Sequence, residues 1–296
     1  MKLPWGGINL NQVAMIKVEA PGFFTTIQDK GRFAYRHLGV PVAGPMDQHG
    51  YDLAMALLPH IPDGCVFECT LIGPTLRLTK EVRFVVTGAP ISINLDGAQL
   101  AMNKVHLAPV NSLLKLGKVE KGMRSYLRFG ADLGVPTILD SKSFYSPLTA
   151  HKSLQKGDVF SIENTRSTTV MNHALLRVND DYITATNLVV SHGPDWGLLS
   201  TDQQLQLLNE THKVEAQNRM GYRLSSTIRV NAPALLSQLV VPGMVQLTPG
   251  GKLLIATADC QVTGGYLQVL QLHKEWLDVL VQKREGEILT FRNKLR

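Results

Sequence analysis

Three cysteines in 296 residues, Cys65, Cys69 and Cys260, are too few for a disulfide framework. They also fail as a zinc site, because no second close pair completes four ligands. In "CVFECTLIG" alternation puts positions 65, 67 and 69 on one strand face, so Cys65 and Cys69 read as small buried hydrophobes in a reducing compartment. Long apolar runs are missing too. The longest, "RFVVTGA" and "KLLIATA", are far too short to span a bilayer, and a soluble, cytoplasmic protein without membrane contact is expected. Residues 1–14 lack the continuous apolar core of a signal peptide and read as a flexible extension before a second start at Met15. Also absent are the phosphate loop G-x-x-x-x-G-K-[ST], the dinucleotide fingerprint G-x-G-x-x-G, the zincin H-E-x-x-H and the nucleophile elbow G-x-S-x-G. The nine histidines are dispersed, so spacing points to no metal. The 30 basic and 24 acidic residues give +6, yet the basic ones lie singly, apart from the terminal "RNKLR". Without a basic stripe interleaved with aromatics, nucleic acid is not an expected partner.

What is present is material for a core, 44% hydrophobic with 18% charged, arranged mostly as short alternating segments. "MIKVEA", "TLRLTKEVRFVVTGA", "ISINLDGAQL", "SLLKLGKV", "SYLRFGA", "DVFSIEN", "ALLRVN", "TNLVVSHG", "GMVQLTPGGKLLIATAD" and "EILTFRN" are bounded by turn residues and predict strands. Helical periodicity is confined to "MDQHGYDLAMALL", "STDQQLQLLNET" (Ser200 or Thr201 as N-cap) and "LQVLQLHKEWLDVLVQK". The sum is a mainly β, antiparallel protein of barrels or sandwiches with a few short helices. "GPTLRLTKEVRFVVTGA" and "GMVQLTPGGKLLIATAD" echo each other faintly, as two similar halves would. The polar stretch "ENTRSTTVMNHA" is the candidate linker.

Three segments carry chemistry. "TTIQDKGRFAYRHLGVPVAGPMD" concentrates Gln28, Asp29, Arg32, Tyr35, Arg36, His37 and Asp47 among glycines and prolines. Its arginines offer forked donors for carboxylate or phosphate, and His37 is the one group poised to change charge near neutral pH. Two readings stay open: an ordered loop held down by Asp–Arg pairs, or a ligand site built on a loop. "QNRMGYRL" places Arg219 and Arg223 around Met220 and Gly221, as a site or as an edge strand with exposed arginines. In "ADCQVTGGY", Asp259, Gln261 and Thr263 alternate and would share one strand face before the Gly264–Gly265 bend, suggesting a strand end that opens into a pocket.

Taken together with "ECTLIGPTLRL" and "VVPGMVQLTPGG", these segments resemble, in order and spacing, the biotin-dependent carboxyltransferase/allophanate hydrolase subunit 2 family, from about Met15 to the C-terminus. The resemblance implies two cyclophilin-like antiparallel β-barrel domains, at 15–165 and 185–296, with 166–184 as linker. It implies a component of an ATP-dependent 5-oxoprolinase that opens 5-oxoproline to glutamate, with ATP as cosubstrate and with two sister subunits, the B and A components, as partners. Two alternatives come with it: a carboxyltransferase acting on urea or a similar amide with carboxybiotin, and a non-enzymatic protein that binds a kinase inhibitor. Carried over by position, His37, Arg32, Asp29, Asp47 and Asp259 are the candidate catalytic residues. Gln28, Tyr35, Arg36, Arg219, Met220, Arg223, Gln246, Gln261, Thr263, Gly264, Gly265 and Tyr266 are the candidate binding residues. The implied roles are anion clamps for Arg32 and Arg219, proton carrier for His37, and amide binders for Asp259 and Gln261. The chain departs from the family pattern at Cys260, where the family has Arg, at Leu267, where it has Pro, at "GAD" 130–132 in place of Gly-Gly, and in a thin glycine content near Ser146–Lys156. Losing a cation beside Asp259 weakens the case for phosphate there.

Overall fold

The structure, a computed structural model, describes residues 15–59, 64–163, 180–226, 228–230 and 236–294. The expected extension 1–14, most of the linker (166–179) and the segment "ALLRVN" lie outside the described residues. Among the described residues strands dominate, joined by three α-helices: α1 (Gln48–Leu57), α2 (Thr201–Asn209) and α3 (Lys274–Val281). Among the described residues no helix is long and apolar enough to cross a membrane.

The first half stacks two sheets around one core. One sheet runs, in spatial order, Asp132–Leu133, Val159–Glu163, Met15–Ala20, Thr75–Leu78, Ser112–Val119, Ile91–Leu95 and Ala98–Leu100. The other runs Phe24–Gln28, Val66–Thr70, Arg124–Phe129, Val82–Gly88 and His106–Ala108. Alternation sends Ile16, Val18, Leu76 and Leu114 from the first sheet, and Ile27, Phe67, Cys69, Phe84 and Leu127 from the second, into the shared core. Each such side chain contributes about 1.5–3 kcal/mol by leaving water. Among the described residues the two sheets are joined where the chain just after Val66–Thr70 meets the strand Ser112–Val119, through the bridge Ile72–Lys118 and Val119 N donating to Leu71 O (2.7 Å).

The second half closes. Asn187–His192, Leu267–Leu272, Met244–Leu247, Leu253–Ala256, Gly221–Leu224, His212–Gln217 and Ile288–Asn293 form a seven-stranded barrel, sealed by a parallel pairing of its first and last strands. The helix expected over 267–283 is a correction. Leu267–Leu272 is an interior strand paired on both sides, and only Lys274–Val281 is helical. Buried on both faces, "LQVLQL" carries no period-2 signal to distinguish it from a helix.

The five-stranded sheet positions the site, because it has no face toward water. Thr26, Glu68, Tyr126 and Thr87 lie opposite one another in adjacent strands, as do Phe24, Thr70 and Arg124, all on the side away from the first core. α1 covers part of this second face. Asp47 caps its N-terminus by accepting from Gly50 N (2.9 Å), and Thr87 donates to Gly50 O (2.6 Å). Gly50 allows the close approach: a Cβ there would sit 2.9 Å from the Tyr126 ring. The rest of the face meets the second half through Gln282. Its side chain donates to Asp47 (2.6 Å) and to Arg124 O (2.9 Å), and it accepts from the backbone of Met123 and Arg124.

A cleft between the two halves as candidate functional site

The stretch after Gln28 folds as a loop that reaches the second half. Asp29 anchors it: its carboxylate accepts from Ser141 Oγ (2.6 Å), Ser143 Oγ (2.7 Å), Lys142 N (2.6 Å) and Gly31 N (2.9 Å). Burial would push its pKa up, but these hydrogen bonds outweigh burial and hold it below the usual carboxylate range. Gly31 adopts φ +94°, and a Cβ there would lie 2.5 Å from Val42 O, so the turn admits no other residue without strain. Arg32 is fully buried, donating from Nε to Ile138 O (3.1 Å) and from Nη2 to Ser143 O (2.5 Å), while Nη1 has no partner. Burial lowers its pKa, and Asp29 and Asp259 partly oppose that. The loop is therefore held by serines and carbonyls rather than by the expected Asp–Arg pairs.

Beneath the loop lies a buried ionic junction. Arg219 grips Asp259 side-on, Nε to Oδ2 and Nη2 to Oδ1 at 2.9 Å each, and also reaches Glu68 Oε1 (2.5 Å) and Gly44 O (2.6 Å). Glu68 in turn accepts from Met46 N (2.7 Å) and Tyr126 Oη (2.9 Å). The two carboxylates hold the Arg219 pKa above its ordinary value despite burial, whereas burial pushes Asp259 up even beside Arg219. Arg219, expected as an anion clamp, is thus already clamped to two carboxylates of the protein.

Above this junction opens a cleft of about 580 Å³ between the halves, within the range of small-molecule sites. Phe23, Phe24, Thr70, Arg124, Phe144, Tyr145 and Lys152 line it from the first half, and Asn218, Arg219, Met220 and Asp259 from the second. A second pocket of about 340 Å³ shares Gln217, Asn218 and Met220 with it and is lined by Arg223, Gln246, Cys260 and Gln261. The Gln246 Nε2 is buried there without a partner. Cys260 is 3% exposed, and burial raises its thiol to about 11 against the opposing pull of Arg36. Arg36, whose Nη2 donates to Val240 O, brings a guanidinium beside the Cys260 thiol.

Other expected site residues are not gathered here. His37 is exposed, and its Nδ1 meets only Ala34 O (2.9 Å). Tyr35 donates to Asp140 (2.5 Å), and Gln28 is sealed under Phe144 O (3.3 Å). Asp47 spends its carboxylate on the α1 cap, Tyr182 Oη (2.7 Å) and Gln282. Arg223 pairs on the surface with Glu215 (3.2 Å). The single strand face expected for Asp259, Gln261 and Thr263 does not form. A turn closed by Cys260 N to Thr257 O (3.0 Å) buries Asp259 and leaves Gln261 and Thr263 exposed. Thr263 and Gly264 pair instead with Gln238–Leu239, and Gly265 and Tyr266 follow exposed. Among the described residues no cluster of three or more His, Cys, Asp or Glu side chains is arranged to hold a metal.

Sequence reasoning passed over Glu68, Arg124 and Tyr126. Their signal was a charged or hydroxylic residue at alternate positions of "VFECT" and "RSYLRF", strands buried along their whole length. Polar residues repeating every second place in such a strand mark a second buried face, which must be satisfied by a partner element or a ligand.

The carboxyltransferase domain family, subdomain A and B, matches residues 38–293. The chain belongs to this family. It is 26% identical over 262 residues to the C subunit of 5-oxoprolinase from Escherichia coli (strain K12), covering 86% of this chain and 83% of that protein. With the C subunit of 5-oxoprolinase from Haemophilus influenzae it shares 29% over 277 residues, 90% of this chain and 87% of that one. In structure it is similar to TTHA0988 (TM-score 0.85, 26% identity), over 95% of this chain and 56% of that chain. It is also similar to the K. lactis urea amidolyase (TM-score 0.81, 25% identity), over 94% of this chain and 18% of that chain. This carboxyltransferase-domain chain thus spans little more than half of TTHA0988 and less than a fifth of the amidolyase.

Proposed function

We propose that this carboxyltransferase-domain protein is the C component of an ATP-dependent 5-oxoprolinase, opening the lactam of 5-oxoproline to L-glutamate together with its sister B and A components. The observation that carries the reading is the extent of the match: the two 5-oxoprolinase relatives are covered over 83% and 87% of their own length. The cleft supports it, being of small-molecule size, apolar on most walls and cationic at a few points. A lactam carbonyl is a poor electrophile, and phosphorylating its oxygen gives water a better target. Such a site supplies position and charge rather than a nucleophile of its own. The residues present fit one anionic group, through Arg124 and Lys152, and not a polyphosphate with its metal. In this reading ATP is a cosubstrate of the assembled complex. A second reading, carboxyl transfer from carboxybiotin to urea or a similar amide, is favoured by the similarity to the K. lactis urea amidolyase.

The test is ADP release by this chain co-expressed with its sister components, with and without 5-oxoproline. Release stimulated by 5-oxoproline in an intact complex is expected. A stable complex without stimulated release overturns the reading.

A further inference from the structure

One guanidinium in the cleft is not accounted for by the fold. Arg124 is 2% exposed and lines the cavity, yet no carboxylate pairs with it among the described residues. Its hydrogen bonds all run through Nη1, to Tyr222 Oη (2.9 Å), Met123 Sδ (3.4 Å) and Val281 O. Nε is buried without a partner, and Nη2 makes no hydrogen bond among the described residues. Nε and Nη2 form the side of a guanidinium that takes a carboxylate in two parallel hydrogen bonds. Arg219 uses that same side to grip Asp259, so the protein displays the bond on one arginine and leaves it unmade on the other. Glu68, the nearby acid, is engaged by Arg219, Met46 and Tyr126 and acts on Arg124 only at a distance.

The surroundings define what would fit. Thr70 stands directly opposite Arg124 in the next strand, and Phe24 directly opposite Thr70, so the three side chains form one row on the cleft wall. The Thr70 hydroxyl makes no hydrogen bond among the described residues, which leaves it free to donate. Phe24, Phe144 and Tyr145 supply apolar wall for a small ring, and Lys152 stands exposed at the cleft. A neutral ligand such as urea leaves a buried cation unpaired, which is costly; a carboxylate pairs it.

We propose that the Nε–Nη2 side of Arg124, with the Thr70 hydroxyl, binds the carboxylate of a small cyclic amide and selects such an anionic substrate over a neutral one. The assignment rests on the 5-oxoprolinase reading of the cleft and adds to it the group that recognises the substrate.

The experiment uses the reconstituted complex and compares KM for 5-oxoproline with that for 2-pyrrolidinone, the same ring without the carboxylate, read as ADP release. The wild type is expected to favour the acid by about tenfold to a hundredfold, the range of a charge-assisted hydrogen bond. Arg124→Lys keeps the charge but not the fork, and Thr70→Val removes the hydroxyl at nearly constant shape. Each is expected to raise KM for 5-oxoproline while leaving KM for 2-pyrrolidinone in place, so the ratio collapses. A general loss of packing would move both values together. Because Arg124 also braces Tyr222 and Val281, Thr70→Val carries the test if the Arg124 variant fails to assemble. Equal KM values in the wild type, or a ratio unchanged in Thr70→Val, overturn the proposal. Turnover of 5-oxoproline with an unchanged ratio sinks this assignment alone. Turnover of urea in place of 5-oxoproline sinks the functional reading as well.

Discussion

Replacing Arg219 by methionine tests whether the ionic junction ties the two halves together. The substitution keeps an unbranched chain of similar reach and deletes four hydrogen bonds: two to Asp259, one to Glu68 and one to Gly44 O. Two carboxylates, 1% and 8% exposed, are then left buried without their cation. The loss is unequal. Glu68 keeps the donors Met46 N and Tyr126 Oη, whereas Asp259 keeps no side-chain donor among the described residues. Breaking a buried pair by removing one partner costs about 3–5 kcal/mol, and most of that should fall on Asp259. At about 2–4 °C per kcal/mol, the melting temperature should drop by about 6–20 °C. The loss should be pH-dependent. Without Arg219 the folded pKa of Asp259, already above its ordinary value, rises further, so destabilisation grows as pH climbs through that window and is smaller at pH 5 than at pH 8. Urea denaturation followed by circular dichroism at the two pH values measures both effects. Adding Asp259→Asn should return more than half of the loss. A cost below about 1 kcal/mol, or no recovery in the double variant, would refute the view that this junction joins the halves.

Other consequences are as direct. Burial and the neighbouring charge of Asp47 raise Asp278 to about 7, so the folded protein holds a proton that the unfolded chain releases, and stability should fall as pH rises from about 4 to 7. Asp278→Asn, which can still accept from Gln48 N, should flatten that slope in pH-resolved melts; an unchanged slope would exonerate the residue. His37→Ala should shift stability by less than about 0.5 kcal/mol, since the ring is exposed and touches one loop carbonyl. In the complex it should leave the pH–rate profile unchanged, and a lost limb near neutrality would restore His37 as the proton carrier. Gly73→Ala should cost about 1–3 kcal/mol in thermal melts, because its Cβ would lie 2.3 Å from Leu116 Cβ; a neutral result would mean the two sheets give way there.

Local signals were the legible ones. Of the two candidate caps, Ser200 proves to be the one before its helix, and alternation in "MIKVEA" and "ISINLDGAQL" placed strands where hydrogen bonds later paired them. The loop from Asp29, and Arg219 and Asp259 each for itself, were singled out by residue type; that Arg219 and Asp259 pair with each other is seen only in the structure. What stayed hidden depends on pairing across the chain. Glu68 and Arg219 are 151 residues apart, and nothing near either one shows that they meet. His37 carried the right chemistry, but a short 3₁₀ turn aims it at water. Asp259 fell to turn geometry, since period-2 spacing shares a face only while the backbone stays extended. Arg124 was masked by its own strand, because an arginine between Met123 and Ser125 looks like a solvent-facing residue until both sides of the sheet are found covered.

The five-stranded sheet, dry on one side and polar on the other, also limits how this protein can be divided. Cut from its second half, the first would expose Glu68, Thr70 and Arg124 and strand Tyr126 over an uncovered α1 cap, while the barrel would lose the acceptors that hold Arg219 and Gln282. Neither piece is a portable module. A copy truncated to either half would leave these buried polar groups without their partners and is expected not to hold its fold.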